Sequence, residues 1–139
     1  MLKYGAKIVE NAGEAPKTVF FINFSEPEQN DFVVAEEVTV MGKNTKRPDL
    51  VIYVNGIAVA VIELKRSSVS VAEGIRQNIT NQKPDFIEKF FTTIQFCMAG
   101  NDSEGLRYGT VKTPENIIMN GKTMVFPNLF MNAARQMYK

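Results

Sequence analysis

The chain contains no histidine. Triads with an imidazole base and histidine-ligated zinc are therefore excluded, and with them many hydrolase classes. Cys97 is the only cysteine, which excludes an intramolecular disulfide and any thiolate-cluster metal site and suits a reducing compartment. Its setting, Ile94-Gln95-Phe96-Cys97-Met98, reads as that of a small buried hydrophobe. Net charge is also lacking: 16 basic against 15 acidic residues give +1 and a pI near 7.8, so no global field marks a nucleic-acid partner. Any such contact must come from a local patch. No apolar run approaches the roughly 20 residues of a membrane span, and Met1-Leu2-Lys3-Tyr4-Gly5 lacks a signal-peptide core, so a cytoplasmic protein is expected. What is present is one ordinary globular domain of 139 residues, 45% hydrophobic and too short for two independent cores.

Short β-branched and aromatic runs bounded by turn residues come first, at Lys7 to Glu10, Thr18 to Phe24 and Phe32 to Val40. They predict a β-meander. Asp49 to Val54 and Ile57 to Lys65 follow as strands joined by Asn55-Gly56, the strongest short hairpin signal. Then the period changes. Val71, Ile75, Asn78 and Ile79 recur at helical spacing, with Ser70 and Glu73 as a possible capping box, so a helix is expected to about Asn81. Pro84 to Phe91 suggests a second short helix, Thr92 to Ala99 and Leu106 to Lys112 two more strands, and Asn128 to Tyr138 a terminal helix.

Chemistry concentrates in Arg47-Pro48-Asp49, the apolar run Leu50 to Ile62, and Glu63-Leu64-Lys65. Alternation along a strand puts Glu63 and Lys65 on one surface, roughly 7 Å apart at Cα, with Leu64 turned to the opposite face. Magnesium takes oxygen ligands and keeps several waters, so the Asp49 and Glu63 carboxylates, the Leu64 carbonyl and a scissile phosphate make a sufficient site. Lys65 is then placed to stabilise charge on the transition state or to ease deprotonation of the attacking water. The arrangement carries a geometric demand. A plain two-residue turn pairs Asp49 with Ile62 and sends Asp49 to the face away from Glu63. A three-residue loop Val54-Asn55-Gly56, or an equivalent bulge nearer Pro48, brings Asp49, Val51, Tyr53, Val59, Val61, Glu63 and Lys65 to one face. The bulged register is the expectation.

The whole stretch Lys46 to Lys65 resembles the nuclease core of the restriction (R) subunit of type I restriction-modification enzymes. Val69 to Asn78, Met98-Ala99-Gly100-Asn101-Asp102 and Gly105 to Thr110 are similar to that family too, so the likeness runs from about Tyr4 to about Thr113. It implies a PD-(D/E)xK nuclease: an α/β (α+β), restriction-endonuclease-like mixed sheet with a β-hairpin core flanked by helices, cutting double-stranded DNA with Mg2+. Asp49 and Glu63 match the metal-binding acids and Lys65 the catalytic lysine. Gln77 matches the glutamine of the family's Gln-x-x-x-Tyr motif, but Asn81 stands where the tyrosine belongs. The resemblance further implies modification and specificity subunits as partners and a role in host defence.

On this reading residues 1–116 are the nuclease domain and 117–139 a segment of unassigned role. A helix that commonly precedes the Tyr4-Gly5 region in the family is missing, and the ATP-driven translocase domains are absent. A shortened subunit is therefore expected, and a catalytically silent folding or association module is the alternative function. Gly121-Lys122-Thr123 imitates the end of a Walker A loop, but Asn116 occupies the upstream glycine position, so ATP binding is not expected. Glu36 and Glu37, on the preceding strand, are candidates for a further acid, although a solvated strand edge suits them better. Lys46, Arg47, Arg66 and Arg76 cluster in sequence around the acids and are the candidate DNA-phosphate contacts.

Overall fold

A computed structural model describes residues 2–120. The expected meander divides into two sheets. β1 (Ala6–Ile8) and β2 (Lys17–Val19) form a separate antiparallel ribbon. β3 (Phe32–Glu36), β4 (Leu50–Val54), β5 (Ile57–Leu64), β6 (Phe96–Asn101), β7 (Gly105–Gly109) and β8 (Met119–Asn120) make a mixed sheet in that order, with β5 and β6 parallel. The run Thr18 to Phe24 stops being strand at Val19 because polar side chains claim its backbone. Asn30 Oδ1 accepts from Asn23 N–H at 2.8 Å, while Asn30 Nδ2 donates to the Asn23 and Pro27 carbonyls. β3 likewise ends early. Glu37 turns left-handed at φ 51° and gives its N–H to the Asp49 carbonyl, leaving Val40 a lone bridge to Lys46.

The parallel pair needs a crossover, and α1 (Val71–Asn81) supplies it, the only α-helix among the described residues. Ser70 caps its start through Oγ to Ala72 N–H at 3.3 Å. The acid that completes the cap is Glu104, not Glu73: its carboxylate, from the β6–β7 turn, accepts the Val71 N–H at 2.9 Å. That backbone bond holds the Glu104 carboxyl below the usual range. Pro84 to Phe91 is not an α-helix. The segment turns, with Ile87 N–H bonded back to the Asn81 carbonyl, and only Glu88–Thr92 winds as a 3-10 helix. So short a stretch gains too little from propagation to hold an α-helix against those bonds. The expected helix Asn128 to Tyr138 and the sequence Gly121-Lys122-Thr123 lie outside the described residues.

β5 is covered on both faces, which explains its uninterrupted apolar run. Ala60, Ile62 and Leu64 pack with Leu50 and Met98 on one side. Val61 packs with Ile87, Phe91, Ile94 and Cys97 on the other, where Ala99 meets Val71 and Ile75 of the helix. Burial pushes the Cys97 thiol up to about 12, so it is the inert hydrophobe its neighbours suggested.

Candidate active site

The hairpin satisfies its geometric demand by the second of the two expected routes, a bulge set back from the turn toward Pro48 rather than a three-residue loop. Asn55 and Gly56 sit left-handed at φ 50° and 77°, and Val54 pairs directly with Ile57, so the connection has two residues rather than three. Asn55 is anchored there. Its Oδ1 accepts from Asp31 N–H at 2.8 Å, and its Nδ2 donates to the Phe21 carbonyl and to Asn30 Oδ1. The bulge lies within the strands instead: Tyr53 pairs with Ala58 but Ile52 with Ala60, leaving Val59 as the extra residue. The Val59 carbonyl, released from the ladder, accepts from Gln95 N–H at 2.7 Å. One extra residue restores the parity. Leu50 now faces Ile62, and Asp49 comes level with Glu63.

Asp49 Oδ2 accepts the Leu64 N–H at 2.7 Å, which fixes that carboxylate against the end of β5. In a strand the N–H and C=O of one residue share a side, so the Leu64 carbonyl also points toward Asp49. Glu63 is fully buried. Its Oε2 accepts from Gln77 Nε2 at 2.7 Å, while its Oε1 meets no hydrogen-bond donor among the described residues and has the Asp49 carboxyl as its polar neighbour. Burial, then the negative charge of Asp49, raise the Glu63 carboxyl to about 8, against the smaller opposing pull of Lys65 and Lys46. Lys65 Nζ donates to Gln77 Oε1 at 2.7 Å. Because an ammonium has no acceptor, the Gln77 oxygen must face Lys65 and its amide nitrogen must face Glu63. One amide therefore holds both ends of the Glu-x-Lys pair.

Gly74, one turn before Gln77, sets the helix height over the sheet. A Cβ there would lie 2.9 Å from Ala99 Cβ and 3.5 Å from Glu63 Cβ. We expect Gly74→Ala to lift α1 by a few tenths of an ångström, with overpacking of about 1–3 kcal/mol partly offset by about 1 kcal/mol of helix propensity. A lowered urea midpoint measures the net effect, and a parent-like midpoint would refute the tight contact.

The other candidates scatter. Arg47 pairs with Glu37 at 3.3 Å and Arg76 with Glu115 at 3.0 Å, all of them well exposed. Arg66 is exposed just beyond β5. Lys46 Nζ sits 4.7 Å from the centre of the Phe86 ring. Glu36 is exposed, and neither it nor Glu37 completes a third acid: among the described residues no group of three or more His, Cys, Asp or Glu side chains converges. Asn81, at the tyrosine position of the motif, is buried. Sequence reasoning missed Gly74, Glu104 and Phe86, whose roles arise only from contacts distant along the chain.

The donors present suit one hard cation. Two carboxylates and a carbonyl are oxygen ligands, and the bare Glu63 Oε1 is a buried acceptor that a cation would satisfy. A mixed sheet whose central hairpin ends in these groups, crossed by a helix that braces them, defines a restriction-endonuclease-like fold. Residues 1–117 match the family described as the type I restriction enzyme R protein N terminus. The chain belongs to that family. It is also 31% identical over 118 residues to a Methanocaldococcus jannaschii protein provisionally named the endonuclease subunit of the type I restriction enzyme MjaIXP. That match takes in 79% of this chain and 11% of the relative, so the chain spans about a tenth of its length. No helix among the described residues is long and apolar enough to cross a membrane.

Proposed function

We propose that residues 1–116 are a magnesium-dependent endonuclease module of a type I restriction R subunit, hydrolysing phosphodiester bonds of double-stranded DNA. Its setting is cytoplasmic host defence, with modification and specificity subunits supplying site recognition and ATP-driven translocase domains of a longer chain supplying the motor. One observation carries the reading: a fully buried carboxyl, Glu63, keeps one oxygen without a partner beside a second carboxylate, Asp49.

Asp49, Glu63 and the Leu64 carbonyl would hold the magnesium ion, which supplies charge neutralisation at the scissile phosphate and makes an attacking water more acidic. The protein's own groups do the rest. Lys65 holds a positive charge where the phosphate gains negative charge on attack. Gln77 fixes the Lys65 ammonium and the Glu63 carboxylate relative to one another, so neither has to reorganise during reaction. Asp49 is oriented by the Leu64 N–H before any ligand arrives.

Isothermal calorimetry with magnesium chloride tests this directly. The parent chain is expected to bind, and Asp49→Ala to lose the heat of binding while keeping its circular-dichroism spectrum. No binding by the parent would favour a silent association module.

A further inference from the structure

The loop between β3 and β4 is clamped at a fixed place. Val40 and Lys46 exchange both backbone hydrogen bonds, at 2.8 and 3.1 Å, and close the loop at its base. Its tip is tied to the segment after α1: Asn44 Nδ2 donates to the Asp85 carbonyl at 2.7 Å, and Lys43 pairs with the Asp85 carboxylate at 3.1 Å. Gly42 lies so close to the Phe86 carbonyl that a Cβ would fall 2.3 Å from its oxygen. This docking brings the half-buried Lys46 over the half-buried Phe86 ring.

The basic side chains around the acids then differ in kind. Lys43, Arg47 and Arg76 each meet a carboxylate in a solvent-exposed pair, which offsets their charge only in part, and Arg66 stands exposed beyond β5 with no fixed seat among the described residues. Lys46 meets an aromatic face instead. The ring quadrupole holds the ammonium without neutralising it, so its positive charge stays available to an anion. Lys46 also stands close to the acids along the fold, three residues before Asp49 at the closed base of the loop that leads into β4. It approaches from the β4 side, whereas Lys65 and Gln77 come from β5 and from the helix above β6.

We propose that Lys46, held in place by Phe86, binds a phosphate of the DNA backbone on the β4 side of the acid pair, so that the strand runs between Lys46 and Lys65. This assignment rests on the nuclease reading and names the side of the acid pair from which the substrate approaches.

The test is the salt dependence of duplex binding by the 139-residue chain, measured by fluorescence anisotropy with calcium in place of magnesium. Lys46→Met keeps the apolar stem against Phe86 and removes only the charge. It is expected to weaken binding to duplexes of any sequence and to flatten the slope of log affinity against log salt by about 1. Lys46→Arg is expected to restore that slope, and Phe86→Leu to weaken binding while leaving it steep. Lys17→Ala, paired with Glu10 on the separate ribbon, should behave as the parent. If the parent binds duplex and Lys46→Met keeps the parent slope, the assignment is overturned while the nuclease reading stands. A parent that binds magnesium but no duplex also overturns it. A parent that binds neither brings down the nuclease reading itself.

Discussion

Glu63→Gln is expected to eliminate magnesium binding and DNA cleavage while making the metal-free domain more stable than the parent at pH 8. Both effects follow from one buried carboxyl. In the folded chain burial and Asp49 raise Glu63 to about 8, whereas in the unfolded chain it titrates near 4.5. Between those values the folded state holds a proton that the unfolded state has released. Stability therefore falls as pH rises across that window and levels off above it. The stabilising proton is fully present below about 4.5 and is lost by about 8. The difference is on the order of a few kcal/mol, enough to move a melting temperature by several degrees. Glutamine keeps the shape and can still bond to Gln77, yet it has no charge to bury. Melting curves from pH 5 to pH 8.5 check the sign: the parent should lose stability toward alkaline pH and Glu63→Gln should not. Magnesium should reverse the parent's trend, because a cation favours the ionised carboxylate and its affinity rises as the proton leaves. A flat parent profile would refute the buried neutral acid.

Lys65→Met carries the second large expected effect, a fall in cleavage of about 100-fold to 1,000-fold with magnesium binding intact. The two variants separate the two roles. Glu63 is placed among the oxygen donors, so its loss removes the ion. Lys65 touches Gln77 and, among the described residues, no carboxylate within ion-pairing distance, so on the proposed reading its loss removes only charge stabilisation at the phosphate. Methionine fills the volume of the stem, and the half-buried position tolerates it without a large loss of fold. Plasmid nicking under saturating magnesium, read beside calorimetry on the same preparation, checks both halves. Cleavage at the parent rate would remove Lys65 from the mechanism, and lost magnesium binding would assign it a structural task instead.

The hairpin shows how far local pattern carries. Asn55-Gly56 between two apolar runs specifies a tight turn because only residues tolerant of positive φ close one, and that holds at φ 50° and 77°. Period-two alternation also separates Glu63 and Lys65 from Leu64, which packs in the opposite core. The same logic locates α1 from Ser70 and its apolar spacing. It does not fix the place of the bulge. Val59 is the extra residue, and its carbonyl accepts the N–H of Gln95, far along the chain, a partner that no local feature encodes.

Phe20 to Phe24 and Pro84 to Phe91 fail for the same reason. Both have the right propensities, and both are held otherwise by bonds that period and propensity do not register: Asn30 and the distant Asn55 hold the first, and the Asn81 carbonyl holds the second. Local pattern also pairs Glu63 with Lys65, since their spacing is written within one strand, whereas Asp49, from the strand before, joins them only through the register of the hairpin. The Gln77 amide bridge, the Gly74 approach, the Glu104 cap and the seating of Lys46 on Phe86 are different in kind. Each joins elements distant along the chain, and such contacts are chosen by how the sheet, helix and loops pack together. Residue order alone therefore carries the candidate acids, the lysine and the alternation that puts Glu63 and Lys65 on one strand face. That Asp49 comes level with Glu63, that Gln77 holds the Glu63–Lys65 pair and that Glu63 is buried depend on the folded molecule, because register and burial are properties of the assembled sheet.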